Sequence, residues 1–311
     1  MISVLTPCLN RAALIVEAIE SVLIQNYPNF EHIVIDGGST DGTLEVLKRY
    51  PHLRVISEPD EGLYDALNKG VRAARGELIA HLNSDDRFCE GAFHRMAEPF
   101  ASDPNVESVV GQVGLYRITP AGERVLMQEY RGEEQCALSF ENITCGFSLT
   151  NARIFRRSVY EKAGLYDIRY RIAGDREFLI RVALSNIHSV YIDYPVYEYL
   201  THEDSLSFDP ESRHYLVILK EYLIITEQFL SRPDIPSELR RWCTLLNSRK
   251  STEACIRHLQ SYQLKEAFRF ARKGLCWDTL WPIAFCSQIA KVGIDWFRLR
   301  LSPRHADNGL N

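Results

Sequence analysis

The first 90 residues alternate short apolar runs with stretches of helical period, and this pattern restricts the fold more than any other feature of the sequence. The apolar runs fall at residues 2–5, 32–35, 54–56 and 78–82. Between the first two, apolar residues from Ile15 to Leu23 recur at the i, i+3, i+4, i+7 and i+8 spacing of one buried helix face. The pattern predicts consecutive βα units whose strands form a parallel sheet.

Two later regions depart from this alternation. In the first, residues 106–130 read as two strands around a Thr119-Pro120-Ala121-Gly122 turn, which predicts an antiparallel hairpin. In the second, helices are expected at 157–163 and 175–184, with a strand near 190–192. Within the first 90 residues, Ser39 and Thr40 are expected to cap the second helix.

Beyond about residue 210 the sequence is helical almost throughout, with helices expected at 215–230, 236–246, 251–274 and 280–300. We therefore place a domain boundary near residues 208–211. The first domain, residues 1–208, divides into a parallel half, about 1–105, and a mixed half, about 106–208. Residues 209–311 form a helical C-terminal region.

The charge balance gives no support to a nucleic-acid partner, because 36 Lys and Arg face 41 Asp and Glu, a net charge of −5. The eight cysteines are scattered without a Cys-x-x-Cys pair, which favours reduced thiols over a zinc site or a disulfide scaffold. We find neither a secretory signal nor a run of about 20 apolar residues, so a cytoplasmic protein is expected.

Polar side chains follow each of the four strand candidates. In open α/β sheets ligands bind beyond the carboxyl ends of the strands, so these residues are candidates for a binding site. No Gly-x-Gly-x-x-Gly follows the first strand and no P-loop motif occurs, so neither a dinucleotide site nor a P-loop is indicated. The candidates are Thr6, Pro7 and Asn10; Asp36; residues 58–60; and Asn83, Ser84, Asp85 and Asp86.

The adjacent carboxylates of Asp85 and Asp86 indicate a cation, because like charges side by side at a strand end repel unless a positive ion offsets them. Hard oxygen ligands suit Mg²⁺ or Mn²⁺, which also bridge diphosphates. The alternative is that residues 83–86 only shape a turn, where Asn and Asp are common.

Together these segments resemble the family 2 glycosyltransferases, nucleotide-sugar-dependent enzymes of the GT-A fold, and in particular bacterial enzymes of cell-surface polysaccharide synthesis. The resemblance covers roughly residues 1–205. It implies a mixed, mainly parallel α/β sheet flanked by helices. Its motifs are TPCLNR from Thr6, SVLIQNYPNFEHIVIDGGSTDGT from Ser21, EPDEGLYDALNKGVRAARGELIAHLNSDD from Glu58, and AGLYDIRYRIAGDREFLIRV from Ala163.

The resemblance also implies roles for individual residues. The nucleotide would be held by the first two loops, with Asp36 receiving the base or ribose, and Asp85 would bind the metal with Asp86 in support. The family motif Asp-x-Asp reads Asn83-Ser84-Asp85 here, so an amide replaces the first carboxylate. The residues assigned to the donor in this way are Thr6, Pro7, Asn10, Asp36, Asp60, Tyr64, Asp65, Asn68, Asn83 and Ser84.

On the acceptor side, the resemblance implies that Asp175 is the general base, with Gly174 standing where Glu is commoner. An Asp at a helix start also stabilises that helix, which is the structural alternative. His202 matches a His that approaches the metal or diphosphate in relatives, although a lone His is as often a surface or core residue.

The implied activity is inverting, non-processive transfer of a sugar from a nucleotide diphosphate donor, of UDP or dTDP type rather than GDP type, to a glycan or lipid-linked acceptor. The alternative is a nucleotide-sugar-binding regulator or scaffold without turnover. The C-terminal segment 280–304 mixes apolar, aromatic and cationic residues. It is expected either to contact the inner face of a membrane or to pack within the protein or a homodimer.

Overall fold

The computed structural model describes residues 1–119, 122–201, 215–278, 281, 282, 285 and 286. The chain divides into two compact units, Met1–Glu221 and Tyr222–Asn311. The boundary predicted near residues 208–211 lies outside the described residues, as does most of the segment 280–304, so the domain division and the membrane or dimer contact stay predictions.

The first unit alternates strands and helices as the sequence predicts. Its strands are β1 (Ile2–Cys8), β2 (Phe30–Asp36), β3 (Leu53–Ser57), β4 (Leu78–His81), β5 (Arg87–Phe88), β6 (Ser108–Ile118), β7 (Arg124–Tyr130), β8 (Arg153–Arg156) and β9 (Ser189–Thr201). The helices of the chain are α1 (Ile15–Leu23), α2 (Thr43–Leu47), α3 (Leu63–Ala73), α4 (Ala92–Ser102), α5 (Glu133–Cys136), α6 (Phe140–Cys145), α7 (Arg157–Ala163), α8 (Gly174–Leu184), α9 (Tyr215–Leu230), α10 (Ser237–Gln260) and α11 (Leu264–Trp277).

One mixed sheet organises the first unit, in the order β3-β2-β1-β4-β8-β6-β9-β5, with β7 paired to β6. β1 is buried along its whole length and pairs in parallel with β2 and β4, while β2 pairs in parallel with β3. The carboxyl ends of these four strands therefore meet at one edge, where a βα sheet binds its ligands. β4 then pairs antiparallel with β8, which begins the mixed half.

The predicted hairpin is present, because β6 and β7 pair antiparallel. β6 also pairs in parallel with β9, and the register shifts between Val110 and Gln112, across Gly111, and again between Gln112 and Val113. A Cβ atom at Gly111 would lie 2.4 Å from Val196 Cγ1 and 2.7 Å from the carbonyl oxygen of Tyr194. The two strands thus approach each other at a point that only glycine fits.

Two helix predictions were wrong. Ser39 and Thr40 do not cap α2, which begins at Thr43 after Gly42, because residues 39–41 instead form hydrogen bonds to the loop after β1. The helices expected at 236–246 and 251–274 are divided elsewhere: α10 runs unbroken to Gln260, and the break falls before α11.

The polar residues near the expected break in α10 are buried within the second unit. Asn247 Nδ2 donates to Thr226 Oγ1 at 2.8 Å, so these polar positions carry internal hydrogen bonds and do not mark a loop. None of the helices in the described part of the chain is long and apolar enough to cross a membrane.

The close approach at Gly111 can be tested with Gly111→Ala. We expect the free energy of unfolding to fall by about 1–3 kcal/mol, because the added methyl group meets backbone that cannot move without breaking the β6–β9 pairing. Denaturant unfolding measures the change. The exposed β7 position Gln128→Ala serves as the control, with a change within about 0.5 kcal/mol, and equal stability of Gly111→Ala and wild type would contradict this account.

Candidate active site

The loops after β1 and β2 are joined by hydrogen bonds at the carboxyl edge of the sheet. Asn10, exposed and left-handed with φ of 54°, donates its N–H to Ser39 Oγ at 2.7 Å and accepts at Oδ1 from the Thr40 N–H at 2.9 Å. Asp41 accepts from the N–H groups of Ala12 and Thr43, each at 3.0 Å. The two loops therefore form one rigid rim.

Asp36 ends β2 as a buried carboxylate. It accepts from Ser57 Oγ at 2.7 Å and from the N–H groups of Gly38 at 3.2 Å and Ser39 at 3.2 Å. Burial alone would raise the pKa of Asp36, but the hydrogen bonds from Ser39, Ser57 and Gly38 outweigh it and lower the pKa. Asp36 is thus a fixed negative charge at the rim. Burial and the Asp36 charge raise the pKa of the neighbouring Cys8 thiol to about 12.

Thr6 and Pro7, predicted nucleotide contacts, lie inside β1 and are buried. The Thr6 hydroxyl pairs with His32 Nε2 at 2.9 Å, and burial lowers the pKa of His32 to about 3, so the imidazole is neutral. The Thr6 hydroxyl is thus engaged in the core, and Thr6 pairs with Val34 of β2 within the sheet, which favours a structural role over the predicted nucleotide contact.

Asp60 and Asp65 lie in the next loop and in α3. Asp60 Oδ1 accepts from the Gly62 N–H at 2.9 Å, and its Oδ2 lies where a side chain on residue 37 would point: a Cβ on Gly37 would be 2.4 Å from it. Asp65 pairs with Lys69 at 3.3 Å and accepts from the Glu61 N–H at 3.2 Å. Asp60 therefore lies beside the rim that the loops after β1 and β2 form.

Asn68 is buried in α3 and bonds to the backbone of Tyr166 at both ends of its amide. Its Nδ2 donates to the Tyr166 carbonyl at 2.8 Å, and its Oδ1 accepts from the Tyr166 N–H at 2.9 Å. This pairing favours a structural role over the predicted donor contact.

Residues 83–86 follow β4 and include a buried carboxylate. Asp86 is 3% exposed; its Oδ2 accepts from Asn83 Nδ2 at 2.8 Å and from the Tyr197 hydroxyl at 3.0 Å, and its Oδ1 accepts from the Leu200 N–H at 2.9 Å. Ser84 is buried beside it. Both Asp86 oxygens are engaged inside the protein, which favours a structural role over the predicted metal contact.

Burial, and then the charge of Asp85, raise the pKa of Asp86 well above the usual carboxyl range. A carboxyl whose pKa is raised on folding adds stability at acid pH, and that contribution is lost as pH rises through the raised pKa. The buried Asp86 also explains why Asn83 stands where the family motif has Asp. The Asn83 amide donates a hydrogen bond to the Asp86 carboxyl group, whereas a carboxylate at position 83 would repel it.

Asp85 is the half-buried carboxylate of the turn. Mg²⁺ in phosphate-transfer sites is typically held by one or two carboxylates together with substrate phosphates and water, and Asp85 fits that donor set. No cluster of three or more His, Cys, Asp or Glu side chains suited to a metal occurs among the described residues. The predicted ligand His202 lies outside them.

Asp175 is the second residue of α8 and is half-buried. Its Oδ2 accepts from Ser148 Oγ at 2.6 Å and its Oδ1 from the Arg176 N–H at 2.7 Å. Ser148 precedes Leu149, a buried residue with φ of 49°, a conformation that costs a bulky side chain about 1–3 kcal/mol and that often occurs at functional sites. Ser148 was missed by the sequence analysis, because it lies in a stretch without a recognisable motif.

Tyr64 links the donor half to the Asp175 loop. Its hydroxyl donates to the Ile172 carbonyl at 2.5 Å and lies 3.5 Å from Asp175 Oδ1. A Cβ on Gly174 would be 2.7 Å from the Tyr64 ring. The glycine that departs from the family pattern is therefore the residue that admits this ring.

Tyr199, on β9, lies within electrostatic reach of both candidate centres. Burial raises its pKa well above the ordinary value, and the charges of Asp86 and then Asp175 add to the rise. Its ring packs 4.8 Å from Tyr197, the partner of Asp86. Tyr199 is thus influenced by the charges of both Asp86 and Asp175.

Comparison with known proteins identifies the family to which this chain belongs. The family model described as Glycosyl transferase family 2 matches residues 3–164. The PGL/p-HBAD biosynthesis glycosyltransferase of Mycobacterium bovis is 30% identical over 188 residues, 58% of this chain and 69% of that protein. EpsJ of Bacillus subtilis, an uncharacterized glycosyltransferase, is 26% identical over 299 residues, 85% of this chain and 84% of EpsJ. The chain belongs to glycosyltransferase family 2, and the resemblance seen in its motifs is confirmed.

Solved structures share the fold. TarS 1–349 of S. aureus in complex with UDP-GlcNAc superposes with a TM-score of 0.64 at 20% identity, covering 88% of this chain and 81% of that one. The mannosyltransferase PcManGT of Pyrobaculum calidifontis, in complex with GDP-Man and Mn²⁺, gives 0.57 at 17% identity, covering 94% and 80%. The expected GT-A-like α/β fold with C-terminal helices is confirmed.

The Asn83–Asp86 pair yields a pH-dependent prediction. Asn83→Asp removes the donor and adds a carboxylate beside a buried one, so the free energy of unfolding should fall by about 1–3 kcal/mol. The loss should be larger at about pH 9 than at about pH 5, because Asp86 with its raised pKa keeps its proton at the lower pH and can then donate to the new carboxylate. Urea unfolding in EDTA measures both values.

Asn105→Asp provides a matched control. The Asn105 amide also donates to a carboxylate, Asp103 Oδ1 at 3.0 Å, but in an exposed turn where water screens the charges. Its effect should stay within about 0.5 kcal/mol at either pH. Equal losses for the two variants would refute the role assigned to buried Asp86.

Proposed function

We propose that this glycosyltransferase moves a sugar from a nucleotide diphosphate donor to a hydroxyl of a glycan or lipid-linked acceptor, with inversion and without processivity. The observation that carries the proposal is the placement of Asp175. Its carboxylate is held by Ser148 and lies beside Tyr64, a residue of the helix that follows the donor-side loops.

Asp175 would act as the general base. An ionised carboxylate has about four lone-pair sites, and Ser148 and the Arg176 N–H occupy two of them, so capacity remains to accept the proton of an acceptor hydroxyl. The acceptor oxygen then attacks the anomeric carbon, the bond to the diphosphate breaks, and the proton ends on Asp175. A single displacement of this kind inverts the anomeric centre and needs no nucleophile from the protein.

Asp85 would hold Mg²⁺ or Mn²⁺ at the end of β4. A divalent cation bound there supplies positive charge that stabilises the leaving diphosphate. Asp36 and Asp60 at the rim would orient the nucleoside, with Asn10 holding the rim in shape. The hydrogen bond between Asn83 and Asp86, with Ser84 buried in the same turn, would hold Asp85 in place.

The names of relatives guide the choice of ligands to test. TarS binds UDP-GlcNAc and PcManGT binds GDP-Man with Mn²⁺. We propose a nucleotide-sugar donor, of the UDP or dTDP type that the family resemblance implies, and a cell-surface polysaccharide or glycolipid acceptor in keeping with the PGL/p-HBAD biosynthesis relative. Action at the cytoplasmic face of the membrane is part of the same proposal.

A panel of UDP, dTDP and GDP sugars tests the donor. Thermal shift with and without Mn²⁺ reports binding, because a ligand stabilises the fold by RT ln(1 + [L]/Kd). Release of nucleoside diphosphate reports turnover. Binding without release for every donor and acceptor would support the alternative of a binding protein without turnover.

Asp175→Asn should lower the turnover number by about 10²-fold or more, because the amide keeps the size of the side chain but accepts no proton. Affinity for the nucleoside diphosphate should stay within about twofold, which calorimetry can measure. Asp167→Asn is the control: Asp167 lies in the same segment and pairs with the exposed Arg169. A variant Asp175→Asn that loses only thermal stability would show that this residue is a helix-capping group.

Asp85→Asn should weaken the metal-dependent part of donor binding. We expect the thermal shift given by donor with Mn²⁺ to drop to the value seen with donor and EDTA, while the melting temperature without ligand stays unchanged, because Asp85 lies in a loop turn. Asp103→Asn, in an exposed turn, is the control. If Asp85→Asn keeps the full Mn²⁺ dependence, the metal ligand is another residue.

A further inference from the structure

The loop before α8 is held by a carboxylate from a distant part of the chain. Glu221 lies in α9 and is 6% exposed. Its Oε1 accepts from the N–H of Arg171 at 2.7 Å, and its Oε2 accepts from the N–H groups of Ile172 at 3.0 Å and Ala173 at 2.8 Å. One side chain therefore satisfies three successive backbone donors.

α8 has no side-chain cap of its own. Ala173, the residue at its N-terminal boundary, has no side chain that could accept a hydrogen bond. The Arg176 N–H is bonded by Asp175 Oδ1 within α8, whereas the Ala173 N–H depends on another element. A negative charge at a helix N-terminus is also favourable, since the helix dipole places partial positive charge there. Glu221 provides both the acceptor and the charge.

The segment that Glu221 holds leads directly into Asp175, two residues after Ala173. Tyr64 donates to the carbonyl of Ile172, so the same segment is fixed from the donor half as well. Arg176 donates to the carbonyl groups of Ile143, at 2.8 Å, and Gly146, at 3.0 Å, which ties the start of α8 to the loop that carries Ser148. The Asp175 carboxylate is placed by these contacts.

We propose that Glu221 is a positioning residue for the transfer reaction: through the backbone of residues 171–173 it sets the place of the Asp175 carboxylate against the acceptor hydroxyl. This inference rests on the proposed function of Asp175. A displacement of about 1 Å between reacting groups costs on the order of 10² in rate, so a loosened loop is enough to matter.

The position of Glu221 extends the catalytic unit. Glu221 lies after the residues matched by the family model, 3–164, and after the boundary near 208–211 predicted from the sequence. The beginning of α9 therefore serves the reaction, although by sequence it belongs to the helical region.

The test uses the full-length protein with Glu221→Gln, which keeps the length and one acceptor oxygen, and Glu221→Asp, which keeps the charge. Nucleoside diphosphate release is measured with UDP-GlcNAc and GDP-mannose in Mn²⁺, and UDP and GDP binding by calorimetry. Glu227→Gln is the matched control, because Glu227 lies on the same helix and pairs with Lys273 at 2.6 Å.

We expect Glu221→Gln to lower the turnover number by about 10- to 100-fold while binding of the nucleoside diphosphate stays within about twofold. Glu221→Asp should be intermediate and Glu227→Gln should resemble wild type. In an Asp175→Asn background, Glu221→Gln should cause no further loss, because residues that act through one group are not additive. A full additional loss in that background would overturn the proposal.

Two further results separate this inference from the proposed function. If Asp175→Asn keeps wild-type turnover, the base assignment fails; if Asp175→Asn loses turnover and Glu221→Gln keeps it, only the Glu221 inference fails. Hydrogen exchange needs no donor: Glu221→Gln should speed exchange of the 171–173 amides by about tenfold or more, with Glu227→Gln unchanged. Unchanged exchange at these amides would also overturn it.

Discussion

The buried carboxylate of Asp86 joins the two halves of the sheet. It ends the parallel half after β4 and accepts hydrogen bonds from Tyr197 and Leu200 of β9, in the mixed half. A buried carboxylate left without partners costs several kcal/mol or takes up a proton, so the surrounding residues are constrained to satisfy it. Asn83 and Tyr197 are the side chains that do so, and their hydrogen bonds to Asp86 hold the turn that carries Asp85.

Elsewhere in the candidate site, as around Asp86, supporting side chains hold other residues in place through hydrogen bonds. The side chains proposed to contact the donor or acceptor substrate are few, and each lies beside others whose polar atoms form hydrogen bonds within the protein. Asn10 fixes the rim around Asp36, Asn68 fixes the Tyr166 backbone, and Ser148 orients Asp175. Several residues that a motif assigns to substrate therefore owe their identity to the loops they hold.

Local patterns were enough to predict most of the fold, because apolar periodicity and turn residues mark βα units, the hairpin and α8 directly. The candidate site was predictable only where a motif carries it, after a strand at Asp36 and Asp85 and at the start of a helix at Asp175. Ser148 and Glu221 were not predictable, since their roles arise from contacts across 27 and 48 to 50 positions that no local pattern encodes. The errors in α2 and α10 have the same origin: polar residues read as caps or breaks are bonded to distant partners.

The contact between Gly37 and Asp60 has a consequence for how this chain can change over time. Because a Cβ at position 37 would occupy the place of the Asp60 carboxylate, a side chain can be gained there only if that carboxylate moves away or Asp60 is shortened. The two positions are thus coupled, and the order of substitution matters. Paired exchanges at 37 and 60 can therefore alter these two loops together, whereas a single substitution at position 37 also displaces the Asp60 carboxylate from its hydrogen bond to the Gly62 N–H.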